Sequence, residues 1–434
     1  MVGLRTVRNW FLGAILLLSL PSFAQDLVSV ADGWANNSVN ATVFRKNSLV
    51  THNEFQFIAF YNPEGKLVLG KRNIADMEWL LKETPYKGNV NDAHNIISIM
   101  VDGDGYLHVS WDHHGHPLRY AKGIAPLSLE LGEKQPMTGL NESNVTYPEF
   151  FRLPDGNLLF MYRDGQSGNG NLILNRYDVA TKSWTQLQKN LIDGENKRNA
   201  YWQACVDNQG VIHLSWVWRE TWDVATNHDL CYARSLNGGK TWENSKGEKY
   251  ILPINASTAE YALRIPQNSE LINQTSMTAD QNGNPYIASY WREQNSDIPQ
   301  YHIVYHDGEK WNDRNLNFRK TPFSLKGGGT KSIPVSRPQV VVESKKDKNK
   351  VILIFRDEER NNRVSIAVSK DINKDSWKIE DLTSFSVGSW EPSYDTELWQ
   401  KKQKMNIFVQ NVVQVDGEGK ANIDPQPVYV LEIK

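Results

Sequence analysis

The stretch Val101-Asp102-Gly103-Asp104-Gly105-Tyr106-Leu107-His108-Val109-Ser110-Trp111 places a tight turn ahead of an alternating run of β-branched and aromatic residues. Asp and Gly supply the turn backbone, and the run that follows has the period of a half-buried strand. The phrase returns as LPDGNLLFMY from Leu153, VDNQGVIHLSW from Val206 and ADQNGNPYIASYW from Ala279. Between these turns lies a second landmark, since Trp79, Trp184, Trp242, Trp311 and Trp377 each close a short polar turn. Repeating units of roughly 50 to 70 residues with about four strands each are what a β-propeller blade requires. Residues 25–434 divided among seven blades give about 59 residues per blade. The sequence therefore predicts an all-β, seven-bladed β-propeller in a single domain, with six or eight blades as alternatives because the C-terminal repeats are degenerate.

Residues 1–24 read differently. Arg5 and Arg8 precede an apolar run from Trp10 to Leu20, then Pro21 and the small-residue segment Ser22-Phe23-Ala24 before Gln25. That order is the pattern of a cleaved secretory signal, and the run is short for a bilayer span. The expected protein is bacterial and exported, periplasmic or secreted, with no membrane contact after cleavage. A formal charge of −2 with interspersed signs creates no field to gather nucleic acid. The 15 Trp and 17 Tyr suit sugar stacking and large β-cores alike.

In an antiparallel hairpin, residues equidistant from the turn face each other. His94 and His114 are so placed about the Asp102–Gly105 turn, and Tyr147 and Arg163 about the Leu153–Gly156 turn. Arg198 and Arg219 repeat the pattern around Asp207–Gly210. If the strand before each turn is the innermost of its blade, these side chains converge on one face near the axis. The candidate cluster is His94, His114, Tyr147, Arg163, Tyr201, Arg219 and Arg292. An Arg fork matches a carboxylate, which makes an acidic sugar the natural ligand. Eliminating a substituent from the 4-position of a uronate requires loss of the proton beside the carboxylate. Arg neutralises that carboxylate, a neutral His takes the proton, and Tyr or a second His protonates the departing oxygen. No cofactor is required for this catalysis.

Plainer roles compete with these. His108 and His213 recur three residues after their turn glycines and read as structural parts of the repeat. His113 points to the strand face opposite His114. Tyr147 is compatible with core, and Arg163 with an ion pair to Asp164 or Glu149. The mirrored placement of the pairs favours function.

The segment Ser235-Leu236-Asn237-Gly238-Gly239-Lys240-Thr241-Trp242 resembles the Asp-box (BNR repeat) of sialidase-type propellers, with Asn in the Asp position. Asp92-Ala93-His94-Asn95, the run from Asp112 to Leu118, Thr146-Tyr147-Pro148, and Tyr162-Arg163-Asp164-Gly165 with Ser167-Gly168 resemble the signatures of ulvan-lyase-type propellers. The whole chain more closely resembles bacterial enzymes that cleave L-rhamnose-α-1,4-D-glucuronate at the tips of arabinogalactan side chains. RNAYWQACVD from Arg198 and GSWEPSYDTELW from Gly388 add to that likeness. The resemblance implies His94 and His114 as base or acid, Tyr147 as the other proton carrier and Arg163 on the uronate carboxylate. Arg219, Arg337 and Arg356 are implied as further substrate contacts. It also carries a rival, hydrolysis of the same bond by an α-L-rhamnosidase using a His on the other side of the propeller, here His52. Hydrolases usually flank the bond with two carboxylic acids, and no such pair has comparable support here. Two other readings stand, a sialidase, suggested by Arg264-Ile265-Pro266, and a sugar-binding propeller without catalysis.

Cys205 and Cys231 leave three arrangements open: a disulfide, a structural Zn²⁺ site with His228, or two free thiols.

Overall fold

Seven antiparallel sheets take up all the named strands of a computed structural model that describes residues 25–42, 46–166, 168–345 and 348–433. The expected signal peptide, residues 1–24, lies outside the described residues. Four sheets take four consecutive strands in chain order, beginning with the blade built from Leu49–His52, Phe55–Tyr61, Lys66–Asn73 and Leu80–Lys87, and the third blade adds His114–His116 to its own four strands. The second blade has three, Ile97–Val101, Leu107–Trp111 and Tyr120–Lys122. The first strands of successive blades touch one another in sequence from Leu49–His52 round to Gln339–Lys345, so the strand ahead of each Asp-Gly turn is the innermost, as the repeat predicts.

The seventh blade closes the ring. Ser393–Tyr394, Met405–Gln410 and Gln426–Ile433 come from the C-terminal end of the chain, and the outermost strand is Gln25–Gly33 from the other end. Gln25 lies opposite Ile433 and Gly33 opposite Gln426. One apolar cluster joins Val28, Leu49, Ile58, Val341, Ile354, Trp390, Ile407 and Val430, fusing the sixth, seventh and first blades.

The repeat residues explain the turns. Asp102 Oδ1 accepts the backbone N–H groups of Asp104 and Tyr106 at 3.0 and 2.8 Å, and Asp207 does the same for Gln209 and Val211 at 2.8 and 2.9 Å. Gly105 and Gly210 follow in the left-handed region, with φ of 87° and 83°, where a Cβ would be strained. The second carboxylate oxygen of each Asp meets His108 or His213, and the other ring nitrogen of each His meets Tyr120 or Tyr232. Both His are fully buried in an Asp–His–Tyr chain that ties turn to sheet. In the Asp-box-like turn, Asn237 Oδ1 accepts the Thr241 N–H at 2.9 Å and buried Trp242 donates to Gly239 O at 3.1 Å. The Asn therefore does the work of the Asp.

Of the three arrangements open to Cys205 and Cys231, the structure shows free thiols, with no disulfide and no ligand set with His228. Cys205 faces His213 across the sheet and packs against one apolar cluster, while Cys231 sits opposite Trp216 within another. Both thiols are free, and His228 lies instead between Glu220 and Asp229, at 2.8 and 3.0 Å. A strand places alternate residues on opposite faces, and that separation keeps these donors apart.

Candidate active site

Seven of the sequence-predicted residues, His94, His114, Tyr147, Arg163, Tyr201, Arg219 and Arg337, line one cavity with a volume of about 960 Å³ up to its open mouth. Trp222, Asn273 and the glycine-rich segment at 328–331 also line it. It lies at the open ends of the hairpins, away from the Asp-Gly turns.

The two His rings meet by a route that hairpin symmetry does not describe. The ladder between Ile97–Val101 and Leu107–Trp111 stops at Trp111, and Asp112 adopts a left-handed φ of 64°. The chain then leaves its own blade, and His114–His116 pairs with the start of Val145–Arg152 in the next, His114 opposite Thr146. His94 and His114 nevertheless stack with ring centroids 4.0 Å apart. Asp92 holds them there, since its two oxygens accept His94 Nδ1–H at 2.8 Å and His114 Nδ1–H at 2.6 Å. His113 is buried on the far side, where its Nε2 accepts the Arg119 backbone N–H at 2.7 Å.

A bulge shapes the second pair. Thr146 pairs with Arg163 but Glu149 pairs with Met161, so one register step is lost at Tyr147-Pro148, and Tyr147 has φ of 56°. Pro cannot donate to the ladder, which favours a break here. The bulge turns the Tyr147 ring toward Arg163, whose guanidinium carbon lies 5.0 Å from the ring centroid. Arg163 is 6 % exposed, and its Nε and Nη1 find no hydrogen-bond acceptor among the described residues. Its stem passes over Gly170, where a Cβ would come within 2.6 Å of Arg163 Cδ. Glu149 turns away into a separate cavity with Lys46 and Cys205.

The electrostatics divide the candidates. Burial pushes His94 down, but hydrogen bonds and charge from Asp92 and Glu418 outweigh it and hold the imidazolium up to about 9. Burial drives the Tyr147 phenol well above its ordinary value, against the pull of Arg163, Arg219 and Arg337. Both are proton donors near neutrality. Asp92 is held well below the carboxylate range: hydrogen bonds and charge from His114 and His94 overcome a larger burial effect. His114 turns its Nδ1 toward Asp92, which leaves Nε2 as the ring nitrogen facing the cavity.

The remaining arginines fall into two sets. Arg219 stacks 5.3 Å from the Tyr201 ring and donates to Thr221 O and Trp222 O. Arg337 reaches the cavity with its charge engaged by both oxygens of Glu391, at 2.8 and 2.6 Å. Arg292 and Arg356 do not reach it. Arg292 binds Glu270 and the carbonyls of Ser296 and Asn268, and Arg356 binds the carbonyls of Ile333, Val335 and Trp390. Each is a strut for a loop. In the fourth blade Asn199, not Arg198, lies opposite Arg219, and Arg198 pairs with Glu220. His52 sits at the turn end of its strand beside Gly105, 5 % exposed, accepting from Arg152 at 2.9 Å. Burial, with Arg152 and Lys401, lowers it to about 4. Arg264 of the sialidase-like tripeptide is outside the cavity, paired with Asp229 at 3.0 Å.

Asp92 and the segments carrying Thr330, Lys331 and Glu418 were not among the predicted site residues. Asp92 had a signal in its spacing two residues before His94, whereas the others lie more than 200 residues away and carry no repeat register. Among the described residues, Asp92, His94 and His114 present donor atoms within 4.8 Å of one another, as do Glu293, His302 and Asp313 of the fifth blade, and such groups could hold a cation.

The family model of BNR repeat-containing proteins matches residues 55–319, more than half of the chain. The chain belongs to the BNR repeat-containing family. This BNR-repeat protein is 23% identical over 327 residues to the long isoform of ulvan lyase from Pseudoalteromonas sp. (strain PLSV), covering 60% of this chain and 33% of that protein. It is 39% identical over 128 residues to the short isoform from Alteromonas sp. (strain LOR), covering 26% of this chain and 24% of the relative. The matches thus span a third or less of the curated relatives' length. Among solved structures it resembles polysaccharide lyase Uly1, with a TM-score of 0.69 at 15% identity over 95% of this chain and 99% of that one. A PL25 ulvan lyase bound to -[GlcA(1-4)Rha3S]- superposes with a TM-score of 0.67 at 13% identity, over 92% and 98% of the two chains. At these identities the structural likeness establishes the fold.

Proposed function

We propose that this BNR-repeat propeller is an exported polysaccharide lyase that releases terminal L-rhamnose from α-1,4-linked D-glucuronate on arabinogalactan-type glycans by β-elimination. The observation that carries this reading is Arg163, a buried guanidinium with two unpaired donors beside an Asp92–His114 pair. A buried cation without an acceptor is costly, and a carboxylate ligand would relieve it. Ulvan lyases among its relatives, one solved with glucuronate linked to a sulfated rhamnose, support the uronate and the reaction class.

In the proposed step Arg163 binds the uronate carboxylate and lowers the cost of the carbanion beside it. His114 Nε2 takes the C5 proton, with Asp92 stabilising the imidazolium that forms. The C4–O bond breaks as the C4=C5 double bond forms, and the departing rhamnose oxygen takes a proton from His94 or Tyr147. In D-glucuronate the C5 hydrogen and O4 lie on the same side of the ring, so acid and base can share one face of the cavity.

The test is incubation with rhamnosyl-glucuronate oligosaccharide in H₂¹⁸O, following ultraviolet absorbance and product mass. An unsaturated uronate with no ¹⁸O is the expected product. A saturated glucuronate, with the ¹⁸O carried by the released rhamnose at its anomeric carbon, would mean hydrolysis and would redirect attention to His52. Oligosaccharide that binds without turnover would make this a sugar-binding propeller.

A further inference from the structure

We propose that Trp222 is a stacking platform for the sugar unit flanking the uronate, a specificity-determining contact outside the group of residues that perform elimination. The inference rests on the uronate reading of the cavity. Trp222 is 69% exposed, and no other tryptophan among the described residues is exposed. An apolar surface of that size left in water at the mouth of a cavity marks a place where a ligand lands.

The exposure does not come from a loose loop. The Trp222 carbonyl accepts from the Arg219 guanidinium, which also holds Thr221 O at 3.1 Å. Next in the chain, Asp223 Oδ1 accepts Ala225 N–H at 2.9 Å and Gly327 N–H at 2.7 Å, while Val224 N–H donates to Gly327 O at 2.9 Å. The segment is stapled on both sides. Gly328 then lies against the indole, where an added Cβ would sit 3.2 Å from Trp222 Cε3. A glycine at that place lets the backbone seat the ring and leave its remaining surface to the cavity mouth.

A rigid, half-supported indole matches the C–H face of a pyranose, which is apolar while its hydroxyls point outward. Arg219 links the two functions, because it lines the cavity and also fixes the platform's backbone. The expected occupant is therefore a neutral pyranose next to the acidic one.

The test uses the full-length mature protein carrying His114→Ala, so that ligand is not consumed, with calorimetric titration of glucuronate, rhamnosyl-glucuronate and a longer arabinogalactan oligosaccharide ending in that disaccharide. Affinity should rise about tenfold once a flanking sugar is present, the equivalent of one good aromatic contact. Adding Trp222→Ala should erase that gain, Trp222→Phe should keep part of it, and Gly328→Val, which displaces the indole, should reduce it. A gain that survives Trp222→Ala, or equal affinity with and without flanking sugars, overturns the platform. Failure of every uronate ligand to bind would fell both this inference and the proposed function.

Discussion

Arg163 is held in an unfavourable state by its surroundings. Its stem is packed over Gly170 and beneath Tyr147, and burying Nε and Nη1 without acceptors costs stability that a ligand's carboxylate would return. Arg163→Met keeps the stem and removes the charge. It should lower kcat/KM by about 10²- to 10³-fold while leaving the thermal midpoint unchanged or higher, measured by calorimetry; a marked fall would show a structural ion pair instead. His94 supplies a pH signature. Its pKa is raised from 6.5 to about 9 in the folded protein, so its stabilisation is complete below the unfolded value and disappears as pH climbs through about 9. The midpoint should therefore fall between neutral pH and pH 10, less so in His94→Asn. If His94 is also the acid, kcat/KM should show an alkaline limb near 9 that moves in the Glu418→Gln variant toward lower pH, since Glu418 helps hold the proton.

Two backbone devices do the positioning at the level of elements. The left-handed Asp112 diverts the chain so that His114 joins the neighbouring blade, and the bulge at Tyr147-Pro148 rotates the phenol inward. Neither is visible as a departure from the repeat, because both flank regular hairpins. Ideal ladders extended from each turn would place His94 beside His114 and Tyr147 beside Arg163. The structure brings the same side chains together through a crossover and a register shift. At the opposite end, the turns of the second and third blades interlock: Gly103 N–H donates to Gly156 O at 2.8 Å, and a Cβ on Gly156 would meet Gly103 Cα at 2.7 Å. Gly156 also has φ of 85°. Gly156→Ala should cost about 2 kcal/mol, read as a lowered denaturation midpoint, while kcat on the distant cavity stays within twofold of wild type.

Closure is the property of the whole molecule. The outermost strand of the seventh blade comes from Gln25–Gly33, so the two ends of the described chain are hydrogen-bonded side by side. Removing residues 25–33 should leave an open sheet edge, with loss of cooperative unfolding and aggregation by light scattering; a soluble, cooperative product would show that the apolar packing of the sixth, seventh and first blades suffices. The same ring decides which distant segments roof the site, since Glu418 and Thr330 reach His94 only because the last two blades return to the second. What the chain determined by itself was local: turn residues with their φ requirements, strand period, the His and Tyr that tie each turn, and thus a seven-bladed propeller with one face rich in His, Tyr and Arg. Those features depend on neighbours a few residues apart. Tertiary structure alone decided that Asp92 clamps both imidazoles, that Arg292 and Arg356 are consumed by carbonyls, and that Cys205 and Cys231 occupy different apolar clusters. Each depends on which side chain meets which between neighbouring strands and loops, contacts that the path of the folded backbone sets.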